Sequence, residues 1–358
     1  MTDQKPLSAE DCLQRIKPFV PQRRFLQWWD ATLTELWFGL GTGETAIAVS
    51  SNTKLERQEQ HENLPLSRLT PETVEQFRSQ SNPIAGARLF GKCKALLSDY
   101  VHFADERLYD LVSVWLIGSY LYTLFSHYGY LFFHSKFPRS GKTRLEEVLS
   151  HLCFNATVPL NAPTVPTIRD TAAEGGTVVL DTLERWKEKN SESYSAAMDF
   201  LDAGFRNGGT VTKMVPMGSK QWRRELFPVY APYVLAAINK DSLTDTALDR
   251  SFVVEMQRKP IAKKKRKYGF ASFEQECQPL RSELCRWALE NAGTVDTIYQ
   301  NATLETNVDA LELNDRAADI WKPLFAVARA LGVAELSQSL ESLASEMAAT
   351  QKQPSESA

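Results

Sequence analysis

The segment 129–152, GYLFFHSKFPRSGKTRLEEVLSHL, decides the fold expected for this chain. It joins a short apolar run of strand length to a polar turn that ends in Gly141-Lys142-Thr143, and an amphipathic helical pattern follows. A strand, a turn and a helix in this order are typical of a loop that wraps phosphate groups with backbone N–H groups. A chance Ser-Gly-Lys-Thr at a turn is the alternative, and the flanking strand and helix make it the weaker interpretation.

The loop predicts a role for each of its residues. Lys142 is expected to reach the β- and γ-phosphates of a nucleotide, and the Thr143 hydroxyl to hold Mg²⁺. The residues expected to line the phosphates beside them are Pro138, Arg139, Ser140, Gly141 and Arg144. Lys136 stands where such loops usually have their first glycine, and a lysine there would be strained at positive φ.

A second apolar run, Thr177–Asp181, ends in an aspartate. A carboxylate at the end of a strand beside the phosphate loop is suited to bind Mg²⁺ through water, whereas the alternative is a helix cap. Thr182 follows, where many such enzymes have the glutamate that polarises the attacking water. Glu184 is the nearest acid in sequence and is the candidate for that role.

Two further apolar runs, 231–239 (APYVLAAIN) and 251–257 (SFVVEMQ), predict the remaining strands. Short apolar strands separated by helical segments predict an α/β fold with a mostly parallel sheet covered on both faces. Asn239 closes one strand, where an amide side chain orients the attacking water. Arg250 precedes the other, where an arginine stabilises transition-state charge in a neighbouring subunit. A turn asparagine and a surface salt bridge are the plain alternatives.

The pattern of apolar and polar residues changes along the chain and divides it into four regions. These are an N-terminal helical region (1–127), a P-loop core (128–262), a C-terminal helical lid (263–345) and a disordered tail (346–358). The most apolar stretch, Leu108–Phe125, is interrupted by polar residues, so we expect a buried helix and not a membrane span.

Composition limits the classes of protein that fit. The 358 residues carry a formal charge of −3, so nucleic-acid contact must come from local patches and not from a general basic field. Five scattered cysteines and five histidines without ligand spacing predict neither a disulfide framework nor structural zinc. The polar N-terminus lacks a secretory pattern, and a cytoplasmic location without a membrane partner is expected.

Residues 208–226, GGTVTKMVPMGSKQWRREL, alternate as expected for a β-hairpin with a Pro-Met-Gly-Ser turn. Basic side chains with an aromatic among them can grip a phosphate backbone and stack on an exposed base. The residues predicted to do so are Lys213, Lys220, Trp222, Arg223 and Arg224. A solvated ribbon is the alternative. The run KKKRK at 263–267 is either a charged surface loop or a contact for nucleic acid or an acidic partner.

Residues 108–331 resemble the helicase-like AAA+ P-loop ATPases of phages, plasmids and integrative elements. The matching stretches are YLFFHSKFPRSGKTRLEEVLSHL, GGTVVLDTLERW, LDAGFRNGGTV, APYVLAAIN, TDTALDRSFVVEMQRK and LNDRAADIWKPLFAVA. The resemblance implies ATP and Mg²⁺ as ligands, a homo-oligomeric ring with nucleotide sites between subunits, DNA as a partner, and a place among replication proteins of mobile elements. It also implies a basic position before the DNA-contacting hairpin, matched by Arg206.

Two positions, Lys136 and Thr182, depart from the family pattern, and they affect hydrolysis more than nucleotide binding. Two alternatives to a DNA translocase or helicase therefore stay open. One is a nucleotide-gated DNA-binding or loading protein without unwinding activity. The other is a weakly hydrolysing or catalytically silent oligomeric scaffold.

Overall fold

The computed structural model describes residues 76–77, 82–137, 139–161, 163–184, 191–216, 221–260 and 265–352. Its strands are β1 Tyr130–His134, β2 Leu160–Asn161, β3 Val178–Asp181, β4 Thr210–Pro216, β5 Trp222–Pro228, β6 Tyr233–Ala237 and β7 Ser251–Glu255. Five of them form one sheet in the order β2–β3–β6–β1–β7, with every neighbouring pair parallel. The predicted α/β fold with a mostly parallel sheet is confirmed.

The helices of the described residues cover both faces of this sheet and extend beyond it. They are α1 Gly86–Tyr100, α2 Arg107–Gly118, α3 Lys142–Leu152, α4 Val165–Glu174, α5 Ser191–Gly204, α6 Asp245–Asp249, α7 Phe270–Tyr299, α8 Ala302–Asp309, α9 Asp315–Leu331 and α10 Leu336–Lys352. None of the helices in the described ranges has the length and apolar character needed to cross a membrane.

The central strand β1 explains why the deciding segment is apolar at successive positions. Leu131, Phe132 and Phe133 are all buried, and β6 and β7 flank the strand on either side. Side chains of a strand alternate between the two faces of its sheet, so a strand covered by helices on both faces needs apolar residues throughout. The chain then leaves β1 at the carboxyl edge of the sheet and enters α3 through the loop.

The buried helix predicted over Leu108–Phe125 is present as α2 but ends at Gly118. A Cβ at Gly118 would lie 2.5 Å from the hydroxyl oxygen of Tyr128, so only glycine fits this approach. That hydroxyl donates to the carbonyl of Trp115 at 2.6 Å. The indole N–H of Trp115 in turn donates to the carbonyl of Gly129 at 2.6 Å, which fastens α2 to the start of β1.

The N-terminal and C-terminal helices pack against each other. Helix α2 contacts α9 and α10, and α1 contacts α3 and α7. Buried side chains of these helices and of the sheet belong to one continuous hydrophobic core. The predicted regions 1–127, 128–262 and 263–345 thus share a core over the described residues, and their boundaries stay predictions.

The C-terminal boundary needs a correction. Helix α10 runs to Lys352, so residues 346–352 are helical where the sequence predicted a disordered tail. Buried residues recur along this helix at Leu336, Leu340, Leu343, Ala344 and Ala348, which is the spacing of one helical face. The rest of the tail, 353–358, and residues 1–75 of the predicted N-terminal region lie outside the described residues, as do Pro138 and Lys220.

Candidate functional site

The carboxyl edge of the parallel sheet collects most of the predicted nucleotide-handling residues. Strand β1 leads there into the phosphate-loop segment, β3 ends in Asp181, and β6 leads to Asn239. The strands are in close register, because His134 pairs with Ala237 and Leu180 with Leu235. Ligands of open parallel sheets bind at this edge, where loops from neighbouring strands meet.

The loop takes its sharp bends at two positions before α3. Gly141, the residue preceding the helix, has φ of 96°, and Arg139 has φ of 61°. Glycine adopts this left-handed conformation freely, whereas a side chain costs about 1–2 kcal/mol there. Lys136 is not among the residues with positive φ, so the backbone strain expected there is not found. Arg139 is the residue of the loop that has a side chain and a positive φ. Ser140 is buried between them.

Lys142 begins α3 and turns its ammonium back toward the end of β1. Its Nζ donates to the carbonyl oxygen of Ser135 at 3.0 Å. Burial lowers the pKa of Lys142, while the carboxylates of Glu184, Asp181 and Glu146 act in the opposite direction. The ammonium is therefore half-buried at the carboxyl edge, within electrostatic reach of acids from the β3 turn and from α3.

Asp181 and Thr182 form a strained corner at the end of β3. The Oδ1 atom of Asp181 accepts a hydrogen bond from the backbone N–H of Thr182 at 2.6 Å. Thr182 has φ of 59°, an uncommon conformation for a β-branched residue. Its buried hydroxyl has no hydrogen-bond partner among the described residues. Strain of this kind persists where the surroundings hold it and is frequent at functional sites.

Glu184 lies beside the position predicted to orient water. Its Oε2 accepts a hydrogen bond from the backbone N–H of Ile238 at 3.2 Å. The next residue, Asn239, is exposed and precedes a short 3₁₀ turn, Lys240–Ser242. The structure thus brings Lys142, Asp181 and Glu184 within electrostatic reach of one another and fastens Glu184 next to Asn239.

Glu146 belongs to this group, although the sequence reasoning missed it. The residue is fully buried, and neither carboxylate oxygen has a hydrogen-bond partner in the described part of the chain. Burial, followed by the charge of Asp181, raises the pKa of Glu146 to about 9. Because charged residues in an amphipathic helix usually face solvent, the sequence pattern gave no reason to expect Glu146 in the site. The available signal was its spacing of four residues from Lys142.

The side chain of Arg144 contacts other side chains of the protein and does not take the predicted phosphate-lining position. Its guanidinium packs over the ring of Tyr268 at 4.4 Å, and its Nε lies 3.3 Å from Glu147. These contacts join α3 to the segment that leads into α7. Thr143 is exposed at the first turn of α3, where its hydroxyl is accessible to a ligand.

Arg250 and Arg206 lie at the opposite, amino edge of the sheet. Arg250 directly precedes β7, whose first residue pairs with Tyr130. Its guanidinium forms an ion pair with Asp202 and packs over Phe205, leaving 13% of the side chain exposed. Arg206 is exposed and forms a β-bridge with His127. Neither arginine is brought to the phosphate loop of its own chain.

The predicted hairpin is present as the antiparallel pair β4–β5. Its alternation divides the basic residues between two faces, because directly opposite residues share a face. One face, called here the outer face, carries Trp222, Leu226, Met214 and Arg224, all exposed.

The other face of the hairpin carries the remaining described basic residues. On it, Lys213 stands opposite Glu225, and Arg223 lies 3.7 Å from the same carboxylate. The described basic residues of the hairpin are therefore divided between its two faces, and of these residues Arg224 shares a face with Trp222.

The basic run at 263–267 is not a free surface patch over its described part. Lys265 donates to the carbonyl oxygen of Ser98. Arg266 lies 2.6 Å from Glu276 and 3.4 Å from Asp99. These contacts fasten the start of the C-terminal helices to α1.

Comparison with known proteins gives limited information. Residues 255–357 match a family described as a protein of unknown function (DUF3631). No curated protein matches. Two solved structures of JCV helicase with bound inhibitors align with 94% of this chain and 99% of theirs at 13% identity, with TM-scores of 0.31 and 0.25. Likenesses at this level do not establish a function.

The family match covers the helices after β7 and none of the phosphate-loop residues. The residues suited to chemistry lie instead at the carboxyl edge of the sheet. There, a glycine-capped helix N-terminus, a half-buried lysine and acids from α3 and the β3 turn are placed together.

Proposed function

We propose that this chain is a P-loop ATP hydrolase that binds Mg²⁺·ATP at the carboxyl edge of its parallel sheet. One observation carries the proposal. The ammonium of Lys142 lies on the carbonyl of Ser135, at the first turn of a helix that a left-handed glycine begins, and within reach of Asp181 and Glu184. Helix N-termini bind phosphate because their first N–H groups have no intrahelical acceptor.

Each residue of the loop has a task in this proposal. When the nucleotide binds, Lys142 exchanges its hydrogen bond to the neutral carbonyl of Ser135 for one to a phosphate oxygen. The new hydrogen bond joins two charged groups and is therefore stronger. The bends at Arg139 and Gly141 turn the intervening N–H groups toward the phosphates. When bound, Mg²⁺ neutralises phosphate charge and fixes the orientation of the triphosphate.

The residues present fit a magnesium site. Mg²⁺ usually keeps several waters and is held by one or two carboxylates together with substrate phosphates. Asp181 supplies a carboxylate and Thr143 an exposed hydroxyl. The unpartnered carboxylate oxygens of Glu146 favour a cation nearby.

Two residues are suited to activate and orient the attacking water. The Glu184 carboxylate, tied to Ile238 through one oxygen, accepts the proton, and the Asn239 amide donates or accepts a hydrogen bond to orient the water. Arg250, at the far edge of the sheet, is proposed to act in the site of a neighbouring copy of the chain in a ring. The outer face of the hairpin, with Trp222 and Arg224, is the proposed DNA contact.

ATP hydrolysis by the purified full-length chain, with and without single-stranded DNA, tests this function. The variant Lys142→Ala should lose hydrolysis, and Lys92→Ala is the matched control because this lysine pairs with Glu283, outside the loop. Native mass spectrometry records the oligomeric state in the same samples. Activity that survives in Lys142→Ala would refute the assignment.

A second candidate function is a nucleotide-gated DNA-binding or loading protein that does not unwind. The observation that favours it is Thr182, a strained residue without a carboxylate at the position after Asp181. Slow hydrolysis, ATP-dependent DNA affinity and no strand separation on a forked duplex would support this candidate. A chain that forms oligomers but binds no ATP would instead be a scaffold.

A further inference from the structure

Glu146 is the least expected side chain of the candidate site. It lies on α3 with no exposed surface, and both of its carboxylate oxygens lack hydrogen-bond partners among the described residues. Buried acids in folded proteins are almost always paired or hydrogen-bonded, because removing a carboxylate from water without compensation is costly. The described residues therefore provide no compensating partner for an acid at this position.

The geometry of α3 directs this carboxyl toward the loop. Glu146 is three residues after Thr143 and four after Lys142, so the three side chains share one helical face. Side chains of a helix point back toward its N-terminus and cover the preceding turn. The turn that precedes Glu146 is the one that begins the phosphate-binding helix.

The charges nearby leave room for a cation. Asp181 and Glu184 act on Glu146 as like charges, and Lys142 is the positive group that acts on it. Lys142, however, donates to Ser135 and has no hydrogen bond to Glu146. A divalent cation beside the proposed phosphate loop would allow the buried Glu146 to ionise and would balance its charge.

We propose that Glu146 is a second carboxylate of the Mg²⁺ site, beside Asp181. This inference rests on the proposed function. It gives Mg²⁺ two protein carboxylates, within the number this ion ordinarily takes. It also explains why an acid is retained in a position that lowers the stability of the nucleotide-free fold.

The magnesium dependence of nucleotide binding tests the assignment. The full-length protein is titrated by calorimetry with adenylyl imidodiphosphate, a slowly hydrolysed ATP analogue, first in EDTA and then at a series of Mg²⁺ concentrations. Glu146→Gln should bind the analogue in EDTA as the wild type does. Its half-saturating Mg²⁺ concentration should rise about 10- to 100-fold, the usual effect of removing a group that supports a metal site.

Glu147→Gln is the matched control, because it removes the same charge from the neighbouring, partly exposed position that pairs with Arg144. Its Mg²⁺ dependence should equal that of the wild type. If Glu146→Gln also keeps the wild-type dependence, or if it weakens binding equally in EDTA, Glu146 is not part of the Mg²⁺ site. If the wild type binds no analogue in either condition, the proposed function itself fails, and this inference fails with it.

Circular dichroism would reveal a folding defect in Glu146→Gln, and a second variant keeps the assignment testable in that case. Glu146→Asp keeps the charge but withdraws the carboxyl by one methylene. It should also raise the half-saturating Mg²⁺ concentration, by less than Glu146→Gln does. A folded Glu146→Asp protein with wild-type Mg²⁺ dependence would contradict the assignment as well.

Discussion

The carboxylate of Glu184 accepts a hydrogen bond from the backbone N–H of Ile238 at 3.2 Å, across 54 residues of chain. The bond fastens the turn after β3 to the residue that precedes Asn239. An acid and an amide, the two groups proposed to handle the attacking water, are thereby held at the same edge of the sheet. Glu184 can do this with one carboxylate oxygen and keep the other for chemistry.

Replacing this acid by its amide separates its two roles. Glu184→Gln retains an oxygen that accepts from Ile238, so nucleotide affinity and melting temperature should stay near those of the wild type. Hydrolysis should fall about 10²- to 10⁴-fold, the usual contribution of a general base. Single-turnover ATPase assays measure the rate.

Glu184→Ala should lower the melting temperature as well, because the N–H of Ile238 then loses its acceptor. If Glu184→Gln hydrolyses ATP at the wild-type rate, Glu184 has only a structural role, through its hydrogen bond with Ile238. The base would then have to be sought elsewhere.

The raised pKa of Glu146 predicts a pH-dependent stability. Burial raises this pKa to about 9 from an ordinary 4.5, with Asp181, Glu147 and Glu184 acting in the same direction and Lys142 against them. The folded state therefore holds a proton that the unfolded state releases. The free energy of unfolding should fall as pH rises from about 4.5 to about 9, by up to about 1.4 kcal/mol per pH unit.

Urea unfolding of nucleotide-free wild type and Glu146→Gln at several pH values isolates this contribution. Other groups titrate equally in both proteins, so the difference between the two curves belongs to Glu146. The variant should become progressively more stable than the wild type as pH rises through this range. A difference that does not change with pH would mean that Glu146 has an ordinary pKa in the folded chain.

The strands around the site were predictable because each has its own local signal. Strands β1, β3, β6 and β7 each contain at least three successive apolar residues, as burial on both faces requires. Strand β2 has only two residues, Leu160–Asn161, which is too short for any periodicity to reveal. The order of strands in the sheet is likewise a long-range property that no local run encodes.

The candidate site was predictable only where a motif names its residues. Lys142 and Asp181 follow from the loop and from the strand that ends in an acid. Glu146 belongs to no such motif, and its burial depends on how α3 lies against the sheet. The two faces of the hairpin depend on which residues pair across it, so the separation of Trp222 from Lys213 needed the strand register.

Arg250 gives a test of assembly. If it acts in a neighbouring subunit, Arg250→Ala should lower hydrolysis about 10³-fold or more, as removal of an arginine finger does. Mixing this variant with Lys142→Ala should restore part of the activity, because some interfaces then combine an intact loop with an intact arginine. ATPase assays across mixing ratios measure the recovery.

The ion pair with Asp202 provides the contrasting expectation. If Arg250 only stabilises its own chain, Arg250→Ala should lower the melting temperature and mixing should restore nothing. Asp202→Asn is the control, since it weakens the ion pair and leaves the arginine available. A trans-acting Arg250 should tolerate this change with near-normal hydrolysis.

The outer face of the hairpin is the proposed DNA contact, and its composition predicts how single variants behave. Trp222 is 63% exposed there, opposite Pro216, with Arg224 on the same face. Base stacking on an aromatic contributes about 1–3 kcal/mol, so Trp222→Ala should weaken oligothymidine binding about 5- to 150-fold. This change removes no charge, so the salt dependence of binding should remain that of the wild type.

Arg224→Ala should act through charge instead. Loss of one phosphate contact should reduce the slope of log affinity against log salt by about 0.7, the value for single strands. Lys213→Ala is the control, because this lysine lies on the other face opposite Glu225, where the carboxylate already offsets its charge. Fluorescence anisotropy with labelled oligothymidine over a salt series measures all three variants. If Lys213→Ala weakens binding more than Trp222→Ala and Arg224→Ala, the nucleic acid lies against the face that carries Lys213, and the outer face must have another role.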